Sequence, residues 1–193
     1  MQDNNENMFE KAEKLIKQGS FDYAYTLLEQ LLKIKPDNAK ITHFLHVANI
    51  KRFNTNNKNK LKLIYYSIIY LPYTVIGIFS YLFENHKKAL YLFEKILKKL
   101  PKNTYILETI AKIYNTEKNI EAESFTYKEI LLISENNISA LKRLGKISLN
   151  QGDIQAASKY YDKLNELNPN DPELKDGLKN LDVLSAIENR NKN

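Results

Sequence analysis

Apolar residues recur along most of this chain at the three- and four-residue spacing of helices that bury one face, and short polar breaks separate the runs. The clearest stretch begins with Leu141, Leu144 and Ser148, stops at Gln151–Gly152–Asp153, and resumes at Ala157, Tyr161 and Leu164 before Pro169. This pattern predicts a helix, a tight turn and a second helix closed by proline. Gly145 is small where a neighbouring helix must come close, and Gly152 can take the positive φ of a helix C-terminus. The preceding stretch repeats the plan with Leu107, Ile110, Ala111, Tyr114, Tyr127 and Ile130. The N-terminal stretch does so again with Ala12, Leu15, Gly19, Ala24, Leu28, Leu31 and Pro36. Pro101, Glu135 and Pro169 stand 34 residues apart and each ends a helical run, which marks an internal repeat.

These residues resemble the tetratricopeptide repeat family, whose unit is a helical pair of about 34 residues with a small residue in each helix and a closing proline. The resemblance implies an all-α fold: a right-handed α-solenoid of about five helix–turn–helix hairpins plus a C-terminal capping helix, as one domain over 1–193. The units fall at roughly 5–38, 39–72, 70–103, 104–137 and 138–171. The third rests on Ile76, Gly77, Ala89, Phe93, Ile96 and Pro101. The second is divergent, with Val47, Ala48, Ile64, Ser67 and Pro72, and holds a polar stretch at 54–60 that reads as a loop. Asp171 reads as N-cap and Pro172 as first residue of a capping helix over 172–188. Its Leu174, Leu178, Leu181 and Leu184 would cover the last repeat, and 189–193 reads as a frayed tail.

Leu63 to Phe83 interrupts the amphipathic pattern, with 21 residues and no formal charge. As one helix it would rise about 32 Å, enough for a bilayer core. Lys58, Lys60 and Lys62 precede it, and Lys87 and Lys88 follow, so charge gives a span no clear orientation. Three features favour two buried solenoid helices instead. Pro72 sits where the repeat phase wants a break. Tyr65, Tyr66, Tyr70, Tyr73 and Tyr81 are spread throughout rather than belted at the ends. Ile76, Gly77, Ala89 and Phe93 keep repeat spacing.

Composition narrows the chemistry. There is no cysteine, so disulfides, thiolate metal sites and cysteine nucleophiles are excluded, and a reducing, cytoplasmic setting is expected. The polar start MQDNNENMFE is no secretory signal. No glycine-rich phosphate loop, nucleophile elbow or paired-carboxylate motif is present, so no enzyme and no cofactor is expected. His43 and His46 lie three apart on one helix face, with no carboxylate near them on that helix, and His86 stands in a loop-like stretch. A packing or surface role outweighs metal binding for all three. Glu121 and Glu123 read as first-turn helix charges.

The net charge of +6 hides an uneven distribution. Between Lys33 and Lys102 there are 14 basic and 3 acidic residues, a balance of +11, while the rest carries −5. Such a patch can meet phosphates or lipid headgroups, but a solvated basic face explains it too, and no per-unit code for RNA bases is visible. The family resemblance implies a concave groove lined by the first helices of successive units, where partner peptides or helices bind. Thr74, Val75, Ile78, Tyr81 and Leu82 would line it in the third unit, Thr109, Lys112 and Asn115 in the fourth, and Lys142, Arg143, Lys146 and Asn150 in the fifth. That lining suits a protein partner with an apolar anchor followed by acidic residues or a free carboxylate. A membrane is the alternative partner, and nucleic acid is disfavoured. Lys112, Asn115, Lys142 and Arg143 resemble part of the family's carboxylate clamp without completing it.

Overall fold

The computed structural model describes residues 2–56 and 60–191, which form ten helices. In chain order these are α1 (Gln2–Lys17), α2 (Phe21–Ile34), α3 (Ala39–Asn56), α4 (Lys60–Leu82), α5 (His86–Leu97), α6 (Thr104–Thr116), α7 (Ile120–Ile133), α8 (Ile138–Asn150), α9 (Ile154–Leu167) and α10 (Pro172–Asn191). His86 is thus the first residue of a helix rather than part of a loop. The expected loop at 54–60 shrinks, because α3 continues to Asn56 and α4 begins at Lys60; residues 57–59 lie outside the described residues. The expected tail is helical as far as Asn191.

Side-chain oxygens of Asn38, Asn85, Asn103, Asn119, Asn137, Asp153 and Asp171 each accept a hydrogen bond from the backbone N–H three residues on. Each satisfies a donor that the helix start would otherwise leave unpaired, worth about 1 kcal/mol. Six of these caps form two series at the repeat spacing. Asn103, Asn137 and Asp171 open α6, α8 and α10, while Asn85, Asn119 and Asp153 open α5, α7 and α9. The residue before each cap of the second series is left-handed: Glu84 at φ 59°, Lys118 at φ 58° and Gly152 at φ 75°. The next N–H then closes back five residues, from Asn85 to Ser80 O, Asn119 to Tyr114 O and Asp153 to Ser148 O. A side chain at Lys118 works against this geometry. Lys118→Gly is therefore expected to raise stability by about 0.5–1 kcal/mol, seen as a higher urea midpoint.

Between Lys60 and Leu82 the pattern departs from the expected two helices. Stepping the cap series back one repeat from Asn103 lands on Ile69, which has no side-chain acceptor, so nothing starts a new helix there. Pro72 removes one backbone donor and sits inside α4 without ending it. The hydroxyls of Ser67, Thr74 and Ser80 donate back to the carbonyls of Leu63, Tyr70 and Ile76. The second unit's closing helix and the third unit's opening helix are one rod of 23 residues.

The chain divides into two compact units, 1–129 and 130–193. In the first, Ala12, Ala24, Leu28, Leu31, Leu45 and Ala48 are buried among α1–α3, with Phe9 and Phe44 edge-to-face at 5.2 Å. Further along the same unit, the Phe93 ring packs against Gly77 so closely that a Cβ on Gly77 would lie 2.6 Å from it. In the second, Leu141, Ala157, Leu164, Leu174 and Leu181 surround Tyr161. The Tyr161 ring lies between Gly145 of α8 and Gly177 of α10, where an added Cβ would come within 2.6 Å of ring atoms at either position. Asp171 caps α10 by accepting from the N–H groups of Glu173 and Leu174.

Candidate functional site

The expectation that 63–83 forms two buried helices is overturned. Leu61–Leu82 is long and apolar enough to cross a membrane, yet within it only Gly77 and Ser80 are buried. Leu61 is 75% exposed, Ile68 67%, Phe79 56% and Leu82 66%, with Ile64 and Val75 exposed between them. Their spacing puts all six on one side of α4, in an apolar stripe running its whole length. The other side meets α5. There Gly77 receives Phe93, Ser80 is buried, and Tyr66, Tyr70 and Tyr73 follow one another with ring centres 6.5 and 5.5 Å apart. Lysines from α5 and just beyond reach over these rings. Lys95 Nζ lies 5.7 Å from the Tyr73 ring centre and 4.4 Å from that of Tyr91, and Lys99 Nζ lies 6.0 Å from that of Tyr66. Tyr66, Tyr70 and Tyr73 at four- and three-residue spacing were a signal for this face, hidden once a break was placed at Pro72.

The groove positions are distributed as follows. On α4, Val75 and Leu82 are exposed while Thr74, Ile78 and Tyr81 are half-buried. On α6, Thr109 is buried with its hydroxyl on Tyr105 O, whereas Lys112 and Asn115 are exposed. On α8, Lys146 and Asn150 are exposed and Arg143 is half-buried. Lys142 is committed elsewhere in the second unit. Its Nζ lies 2.6 Å from Asp171 Oδ2 and 3.5 Å from Glu173 Oε1, and the Asp171 carboxylate holds the amine above its ordinary value. Lys142, Lys146 and Asn150 border a cleft of about 210 Å³ whose far wall carries Glu173, Asp176 and Asn180 of α10. The cleft is therefore mixed in charge, not simply basic.

His43 and His46 lie towards the first unit's interior, where side-chain carboxylates from distant helices meet them. His46 Nδ1 is 2.7 Å from Glu129 Oε2, and its Nε2 is 2.8 Å from Glu94 Oε2. His43 Nδ1 is 2.8 Å from Glu129 Oε1, and its ring stacks on Phe125 at 4.6 Å. Burial pulls the His46 pKa down, but Glu94 and Glu129 outweigh it, so the imidazole stays protonated well above its ordinary range. Glu129 is likewise pushed up by burial and pulled further down by His46 and His43, leaving it below the usual carboxylate range. Among the described residues no group of three or more such side chains has a metal-binding arrangement. The cluster is an ion-pair network that ties α3 to α5 and α7.

Residues 138–171 match the tetratricopeptide repeat family model. Several solved structures share the fold across most of the chain. A tetratricopeptide repeat protein from Parabacteroides merdae superposes with a TM-score of 0.55 at 19% identity, covering 94% of this chain and 60% of its own. The chain has the tetratricopeptide repeat fold, and its 138–171 unit is a repeat of that family. The P58(IPK) repeat domain gives a TM-score of 0.50 at 17% identity, over 95% of this chain and 56% of its own. The first repeat domain of Spaghetti (RPAP3), solved with the HSP90 peptide SRMEEVD, gives 0.52 at 19% identity over 61% of this chain and 93% of its own. The chain thus spans little more than half of two of these three structures. A search of curated proteins finds no match.

Proposed function

We propose that this chain is a non-enzymatic scaffold that holds a segment of a partner protein against the first helices of its repeats. The repeat fold carries this reading, since helical-hairpin arrays present extended surfaces for partners. A similarly folded domain was solved bound to the HSP90 peptide SRMEEVD, whose Glu-Glu and Asp residues give the acidic chemistry to test. Within the second unit, the exposed amine of Lys146 is the cation that such an acidic segment would meet. Lys142 contributes less, because Asp171 already occupies it. In a fluorescence-anisotropy titration with the labelled peptide SRMEEVD, Lys146→Glu is expected to weaken binding about tenfold, and C-terminal amidation to do the same. Equal affinity for the free and amidated peptides would place recognition on another surface.

The exposure of α4 favours a second, compatible reading, in which the scaffold works at a membrane rather than free in the cytoplasm. A soluble solenoid has little reason to leave an apolar stripe of this length in water. Cofractionation of the expressed protein with membranes, lost on replacing Ile68 and Phe79 by Asp, is the expected result.

A further inference from the structure

We propose that α4 docks in the plane of an anionic bilayer surface, its apolar stripe in the acyl boundary and its tyrosine side towards the headgroups, rather than spanning the membrane. This rests on the membrane reading above and specifies how the contact is made.

A spanning helix must be apolar around its full circumference for about 20 residues. α4 meets that requirement in sequence but not in its packing. From Tyr66 to Ser80, about 21 Å of helix rise, one side faces α5 and, at its Tyr66 end, Lys99 just beyond α5. Carrying this length into hydrocarbon would carry Lys95 and Lys99 with it, where each charge is costly. Freeing α4 from α5 would instead expose Phe93, which is fully buried against Gly77.

An in-plane arrangement meets neither obstacle. Leu61, Ile64, Ile68, Val75, Phe79 and Leu82 enter the upper acyl region together, as an amphipathic helix does at a depth of about 5–10 Å. The tyrosine rings, apolar in body and polar at the tip, sit at the boundary. Lys95 and Lys99, whose amines lie over the rings of Tyr73 and Tyr66, have stems long enough to present those amines to the phosphate layer. Charge identifies the kind of bilayer. No acidic residue occurs between Asn38 and Phe83, while Lys40, Lys51, Arg52, Lys58, Lys60 and Lys62 all do. That run is complementary to anionic headgroups and indifferent to zwitterionic ones.

The full chain has no tryptophan, so single reporters can be placed along the stripe. Leu61→Trp, Leu71→Trp and Leu82→Trp are each introduced at exposed positions. Flotation is measured with vesicles of phosphatidylcholine alone and with about one-third phosphatidylserine. The depth of each tryptophan follows from quenching by lipids spin-labelled at different acyl positions. Flotation on the anionic vesicles only, with all three reporters at one shallow depth, is expected. Lys95→Glu with Lys99→Glu should reduce that partitioning at least about tenfold. If Leu71→Trp lies about 15 Å deeper than the two ends, α4 spans, and the in-plane proposal is overturned while membrane association stands. Equal flotation on neutral vesicles would overturn the anionic selectivity. No flotation on either vesicle would remove the membrane reading itself. A concentration-dependent doubling of mass lost in Ile68→Asp would then assign the stripe to a second copy of the chain.

Discussion

Glu129→Ala is expected to lower folding stability by about 3–5 kcal/mol, measured as a fall in the urea midpoint. Glu129 is 2% exposed and accepts from both His43 and His46. Both ring nitrogens of His46 bond carboxylate oxygens, which only the doubly protonated imidazolium can do as a donor. Removing Glu129 leaves a buried cation with one partner and a second histidine with none of its carboxylate contact. Glu129→Gln should cost less, because its shape survives and only its charge is lost. The same network imposes a pH window. His46 titrates above its ordinary 6.5, so its contribution is whole below about 6.5 and fades as pH climbs through the raised value. Glu129 titrates below its ordinary 4.5, so its contribution is whole above about 4.5 and fades as pH drops through the lowered value. Stability of the native chain should therefore peak between these limits. Glu129→Gln should flatten both flanks, and an unchanged profile in that variant would assign the pH dependence elsewhere.

Phe93→Ala is expected to cost about 3–5 kcal/mol, again as a lower urea midpoint. Its ring is fully buried and fills the space that the missing side chain of Gly77 leaves against α5. Gly77→Ala alone should cost about 1–3 kcal/mol, because the new Cβ would meet ring atoms at 2.6 Å in a packed interior. The two changes should not add. In the Phe93→Ala background the clash is gone, and alanine is better than glycine in a helix by about 1 kcal/mol. Gly77→Ala should then be neutral or stabilising, and this reversal of sign in a double-mutant cycle is the distinctive outcome. Additive losses would mean that the close approach between Gly77 and Phe93 does not set the packing of α4 on α5.

The repeat itself was legible because it is written in local chemistry. Helical spacing, Gly145 opposite Tyr161 and the closing residues Pro101, Glu135 and Pro169 each act within one hairpin, so their signals sit close together in the chain. The cap series Asn103, Asn137 and Asp171 was equally visible and carries more information, since its failure at Ile69 marks where a helix does not begin. Pro72 misled because proline outside a capping context weakens a helix without ending it. The histidines were harder to read. Glu94 and Glu129 lie 48 and 83 residues from His46, and no spacing rule spans such distances.

The sequence alone therefore determined the repeat class and most of the helices, though not the continuous α4, because hydrophobic period, caps and turn residues act over a few residues each. It also determined the uncharged 21-residue segment and the acid-free run around it. Only the tertiary structure decided what that segment faces. Burial depends on whether another element lies against a surface, and here α5 covers one side of α4 while its apolar stripe is left exposed. Tertiary structure likewise decided that Lys142 is held by Asp171 and that two separated carboxylates enclose His46, since charges pair by proximity in space and not by position in the chain.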